Sequence, residues 1–182
     1  MRLKVRTRHL YFVFGLIALC FLGSGCGRKP DAKKAYEKGI HQMQERKFKE
    51  AIASLNKAIS SNPRYSPAYI ARGIAHKIEG EDEKAIADFN QAIELNPNQP
   101  EAYTNRGNVY ADQNRFDLAL KDHNRALKIK PDYANAYNNR ASTYLRLNDY
   151  KKAWADVDKA KSLGQEVEPK IVAELNRLAP RK

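Results

Sequence analysis

Residues that usually carry chemistry are few in this chain. It has two cysteines, Cys20 and Cys26, both close to the N-terminus. They offer no pair for a metal site and no disulfide. The four histidines are His9, His41, His76 and His123. No two share a spacing that suits a catalytic triad or a metal. The glycines form no phosphate-cradling loop, and no nucleophile motif is present. The run Glu81-Asp82-Glu83 looks like an acidic metal cluster, but it opens a helical segment, where carboxylates favour the helix dipole. These absences argue against an enzyme, a cofactor and a small-molecule substrate. Long apolar runs are missing too. The longest, Leu10 to Leu22, has 13 residues. As a helix it would reach about 20 Å, short of the roughly 30 Å hydrocarbon core.

What the chain does have is repetition. Four blocks of 34 residues follow one another without a gap: 32–65, 66–99, 100–133 and 134–167. Position 8 of the block is Gly39, Gly73, Gly107 and Ala141. Position 20 is Ala51, Ala85, Ala119 and Ala153, and position 27 is Ala58, Ala92, Ala126 and Ala160. Position 4 is Ala35, Tyr69, Tyr103 and Tyr137. Position 32 is Pro63, Pro97 and Pro131, then fails at Gln165. Within a block, apolar residues recur at helical spacing, as in Ala85, Ile86, Phe89, Ala92 and Ile93. Small residues at 8, 20 and 27 let two antiparallel helices approach. Large ones at 4, 11, 17 and 24 fill the space beside them.

Turn signals fall at position 15, with Gly80, Asn114 and Asn148, and Arg46 departing. The prolines stand just past the second helix. The pattern predicts helices near 32–45, 48–61, 66–79, 82–95, 100–113, 116–129, 134–147 and 150–163. A ninth, over 168–178, caps the last block. Pro169 suits its first turn, and Ile171, Val172, Leu175 and Leu178 share a face.

This set of aromatic, small, large, Ala and Pro positions resembles the tetratricopeptide repeat over about three quarters of the chain. The resemblance implies an all-α fold: a right-handed α-solenoid of four helical hairpins with a C-terminal capping helix and tail over 168–182. Stacking buries apolar faces that a single hairpin leaves open. One departure from the family recurs. Position 7, usually Leu, is Arg72, Arg106 and Arg140, and position 23 is Asp88, Asp122 and Asp156. Block 1 has neither, with Lys38 and Ser54. In a hairpin turning near position 15 the two positions face each other, so three Arg–Asp pairs between helices are expected.

The first residues speak of an address. Arg2, Lys4, Arg6 and Arg8 precede the apolar run, which fits a signal peptide over 1–25. The sequence Leu22-Gly23-Ser24-Gly25-Cys26 resembles a bacterial lipobox, with Gly23 where Leu is usual. That resemblance implies lipidation of Cys26, with 26–31 as a short linker and the protein tethered in the cell envelope. An ordinary signal peptide cut nearby and an uncleaved anchor are the other readings. Gly27 is not Asp, which resembles the outer-membrane class if the source is Gram-negative. Block 1 carries eight basic and three acidic residues, block 2 three and six. Arg28, Lys29, Lys33, Lys34, Lys38, Arg46, Lys47 and Lys49 are therefore candidates for contact with anionic head groups, at about 1 kcal/mol each. The basic residues form no stripe with interleaved aromatics, and the tyrosines sit at packing positions, so nucleic acid is not expected.

A protein or peptide partner is expected. In the family the first helix of each block lines the concave face. Blocks 3 and 4 place Asn105 and Asn108, then Asn135, Asn138, Asn139, Ser142 and Arg146 there. Carboxamides both donate and accept, which suits the backbone of an extended peptide. Asn105 and Asn139 stand where some members carry an asparagine ladder; Glu37 and Ala71 break it. Block 1 and block 2 offer apolar residues instead: Tyr36, Ile40, Met43, Ile70, Ile74 and Ile78. The clamp for acidic C-termini needs Lys and Asn where this chain has Tyr36 and Ile40. A self-associating role through the capping helix is the alternative to a scaffold.

Overall fold

The structure is a computed structural model that describes residues 31–181. The expected signal peptide over 1–25, Cys26, Arg28 and Lys29 lie outside those residues. Nine helices make up the described chain: α1 (Ala32–Gln44), α2 (Phe48–Ser61), α3 (Ser66–Ile78), α4 (Asp82–Leu95), α5 (Pro100–Asp112), α6 (Phe116–Ile129), α7 (Ala134–Arg146), α8 (Tyr150–Ser162) and α9 (Pro169–Leu178). The first helices end one residue earlier than the sequence pattern suggests. Glu45, Glu79, Gln113 and Leu147 act as caps instead.

Each turn inside a hairpin is closed the same way. The residue at position 15 takes a left-handed φ: 60° at Arg46, Asn114 and Asn148, and 78° at Gly80. Its N–H donates to the carbonyl three residues back, and the next N–H donates five back, as in Glu81 to His76 at 2.9 Å. Glycine and asparagine tolerate that backbone; Arg46 adopts it at a steric cost. The turns between blocks differ. Asn62 and Asn96 accept from the backbone N–H of Arg64 and Asn98 at 3.1 Å, and a proline follows each asparagine. Where block 4 lacks the proline, Gly164 instead takes φ 79° and closes α8.

Hairpin packing depends on matched sizes. A Cβ on Gly39 would lie 2.8 Å from the Leu55 side chain, one on Gly73 2.7 Å from Phe89, and one on Gly107 2.8 Å from His123. Block 4 has Ala141 at that position, and its partner at position 24 is the smaller Val157; both are fully buried. The expected ion pairs are all present. Arg72 grips Asp88 through two N–H donors at 2.8 and 2.6 Å, Arg106 grips Asp122 at 2.7 and 2.7 Å, and Arg140 grips Asp156 likewise at 2.7 and 2.7 Å. Hydrogen bonding to Asp88 pushes the Arg72 guanidinium above its ordinary range, against burial.

The same guanidinium does more than close its own hairpin. Its remaining Nη1 donates to an asparagine of the preceding block: Arg72 to Asn56, Arg106 to Asn90 and Arg140 to Asn124, each at 2.5 Å. The cation also lies over the tyrosine three residues earlier, at 5.5, 5.7 and 5.4 Å for Tyr69, Tyr103 and Tyr137. So those tyrosines are half core and half platform. Ser54 in block 1 donates instead to Gln42.

Each hairpin packs on the next, and each odd helix also touches the next odd one. Among the described residues no two even helices bring their backbones within 8 Å of each other. The odd helices therefore crowd together along the inside of a curve. At the far end Val167, Ile171 and Leu175 bury against Ala153, Val157 and Ala160. Leu178, expected on that face, is 38% exposed. The tail is clasped instead by Trp154, whose indole N–H donates to the Ala179 carbonyl, and by Arg181, which lies 3.8 Å above the Trp154 ring and pairs with Asp158.

A candidate partner-binding groove on the inner wall

The inner wall divides into an apolar half and a polar half. In the apolar half, Tyr36, Ile40 and Met43 of α1 face Pro67, Ile70 and Ile74 of α3 across an open hollow of about 250 Å³. Gln99 and Glu101 close its far side. The apolar residues are half-buried, not interior, so the strip is open to a partner. Ile78 extends it one turn and is 52% exposed. The one alanine lining the hollow, Ala71, is only 4% exposed, whereas the isoleucines around it are half-buried.

In the polar half, Asn105, Asn108, Asn138, Asn139 and Ser142 are half-buried and Asn135 is exposed. Asn105 donates to the carbonyl of Glu101 in its own helix at 2.9 Å. Asn138 buries its Oδ1 with no hydrogen-bond partner, and so does Thr104 with its hydroxyl, one block earlier at the same repeat position. Both atoms are enclosed, so a docked segment does not reach them directly. Arg146 is not free in the groove. Its guanidinium donates to the Ala111 carbonyl at 2.6 Å and to Asn114 at 2.7 Å, and lies 4.9 Å above Phe116. It ties block 4 to the end of α5. A second such tie joins Lys77 to Asp112 at 2.9 Å. Sequence reasoning placed Arg146 on the inner face without pairing it.

The basic residues of block 1 lie elsewhere. Lys33, Lys34, Lys38, Arg46, Lys47 and Lys49 are all exposed. Lys34, Lys38 and Lys57 surround a hollow of about 280 Å³ beside Ser54, in the place where later blocks hold the Arg–Asp pair. The histidines are not assembled for catalysis. His123 is fully buried against Gly107, and burial, with the charge of Arg140, pushes its imidazole down to about 4. His76 lies 2.5 Å from Glu81 and 4.0 Å from Asp88, within the network that Arg72 already holds together. Among the described residues no group of histidine, cysteine and carboxylate side chains is placed to hold a metal, and no helix is long and apolar enough to cross a membrane.

The geometry finds its counterpart in known proteins. One family model, described as TPR repeat, matches residues 75–114 and 107–148; a second, described as tetratricopeptide repeat, matches 42–65 and 134–163. This is a tetratricopeptide-repeat chain. No curated protein matches it. Among solved structures, MamA is 26% identical, with 73% of this chain and 78% of that one covered at a TM-score of 0.65. The first TPR of Spaghetti (RPAP3) bound to the HSP90 peptide SRMEEVD is also 26% identical, over 66% of this chain and 95% of that one, at 0.62. PilF of Pseudomonas aeruginosa is 19% identical, over 81% and 67%, at 0.73, a likeness of fold alone. TPR proteins in general mediate contacts between proteins.

Proposed function

We propose that this chain is a membrane-tethered scaffold that holds a peptide or a partner protein along the inner wall of its solenoid. The observation that carries the reading is the open apolar hollow between α1 and α3. Beside it the polar half offers the half-buried carboxamides of Asn105, Asn108 and Asn139. A segment could therefore place an apolar anchor in one half and its backbone along the other. RPAP3 lends support as a relative of similar fold that holds a peptide. The acidic ending of that peptide is not the expected ligand, because Tyr36 and Ile40 replace the charged and polar residues of the clamp.

The tether is proposed at Cys26, with residues 1–25 removed and the protein held in a bacterial envelope, at the outer membrane if the source is Gram-negative. The exposed lysines of block 1 then lie close to the bilayer. Self-association through α9 has less support, because its exposed residues Lys170, Asn176 and Arg177 are polar, with Ala173 and Leu178 as exposed apolar ones. A photo-crosslinker at Asn139 in cells tests the scaffold reading. One discrete partner is expected, and it should vanish when Ile74→Asp is added. Capture of only the chain itself would overturn it. The tether is tested separately: Cys26→Ala should leave the protein unacylated and unprocessed.

A further inference from the structure

The groove carries a charge preference opposite to that of the chain as a whole. The formal net charge is +12, yet the apolar hollow has a carboxylate in its wall. Glu101 is exposed and forms no salt bridge among the described residues, although cations are plentiful elsewhere. Glu101 thus stands in the wall of an apolar slot with no cation settled on it.

From this we infer that the preferred occupant is a peptide segment with a bulky apolar side chain next to a Lys or Arg. The apolar side chain fills the hollow, which at about 250 Å³ exceeds the roughly 150 Å³ that holds benzene in an engineered apolar cavity. The neighbouring cation meets Glu101. An acidic neighbour is repelled there. This rests on the scaffold reading and narrows it to one class of partner.

Three short fluorescein-labelled peptides sharing a Leu-Leu core, flanked by Lys, by Ser or by Glu, test it. They are titrated onto the full chain in nanodiscs of zwitterionic lipid, so that basic peptides gain nothing from the bilayer. The Lys-flanked peptide should bind tightest, with about fivefold lost at each step to Ser and then Glu, the effect of one exposed charge pair. The variant Glu101→Lys should reverse the order. Glu101 is exposed, so the fold is retained, as the far-ultraviolet circular dichroism would confirm. Equal binding of all three peptides overturns the inference but leaves the scaffold reading intact. Binding of none overturns the inference, and the Asn139 crosslink then judges the scaffold reading alone. A peptide-independent dimer that occupies the groove overturns it as well.

Discussion

Block 1 and blocks 2 to 4 share one backbone, but their first helices turn different residues toward the N-terminal end of the stack. In the later blocks positions 3 and 10 are Ala68, Ala102 and Ala136, then Ala75, Val109 and Thr143, all at most 1% exposed. In block 1 the same positions are Lys34 and His41, both exposed. The Arg–Asp–Asn clip is likewise complete in blocks 2 to 4 and absent from block 1. Each clip needs a preceding block to receive its third hydrogen bond, and block 1 has none within the solenoid. The difference teaches that block 1 is a terminus by design: its outer face is polar, as a repeat array requires at its ends. At the other end Asp158 stands where earlier blocks have the asparagine, and Arg181 of the tail takes the role of the next arginine.

The comparison is broken most severely by one change made at both kinds of position. Ala75→Glu would bury a charge without a partner between α3 and block 1, and is expected to cost about 4 kcal/mol or abolish folding. His41→Glu, at the matching site of the terminal block, should move stability by no more than about 0.5 kcal/mol. Urea unfolding of both variants is the measurement, and equal losses would mean that the two faces are not inside and outside. Next in size is the clip. Asp122→Ala leaves Arg106 half-buried without its carboxylate and should cost about 3 kcal/mol, whereas Ser54→Ala loses one neutral hydrogen bond, about 1 kcal/mol. Replacing Arg106 and Asp122 together by leucine should lie within about 1 kcal/mol of the parent, because no charge is then stranded.

These pairs also show how far the sequence could be read. Helix bounds, the position-15 turns and the Arg–Asp pairs follow from offsets inside one block, where antiparallel geometry fixes who faces whom. Asn56, Asn90 and Asn124 recur as regularly, but their meaning depends on how one block is rotated against the next. No spacing within a block reveals that. Arg146 reaches back 35 residues to Ala111, and Lys77 reaches Asp112, for the same reason. The halves of the groove were legible as residue types. That the apolar half forms a hollow, with Glu101 in its wall, needed the curvature set by contact between successive odd helices. The Trp154, Ala179 and Arg181 clasp lies beyond the last repeat, where no earlier copy exists for comparison.

Position 24 sharpens the comparison from within. Leu55, Phe89, His123 and Val157 fill one slot in four blocks, and only His123 is ionisable; both its ring nitrogens lack partners. Its folded pKa of about 4 lies below the ordinary 6.5. The neutral form is therefore favoured by folding. Its contribution is fully present above pH 6.5 and is lost as pH falls toward 4, by about 3 kcal/mol in all. His123→Phe copies block 2, where Phe89 meets Gly73. It should remove that part of the acid sensitivity, seen as a flatter plot of urea midpoint against pH between 6.5 and 4. An unchanged slope would place the sensitivity in other groups.

The smallest expected effect concerns the turn that every hairpin shares. Three blocks put Gly or Asn at position 15, while block 1 holds Arg46 at φ 60°, where an ordinary side chain costs about 1 kcal/mol. Arg46 is exposed, and its backbone N–H already closes the turn on Met43. Arg46→Asn should therefore raise stability by up to about 1 kcal/mol and leave the hairpin unchanged. The corresponding change at block 3, Asn114→Gly, gains no such relief. It removes the acceptor that Arg146 reaches at 2.7 Å, so it should lower stability instead. Thermal unfolding of the two variants gives shifts of opposite sign if the terminal block alone pays for a poor turn residue. A gain at both sites would show that the Arg146 tie contributes little to holding blocks 3 and 4 together.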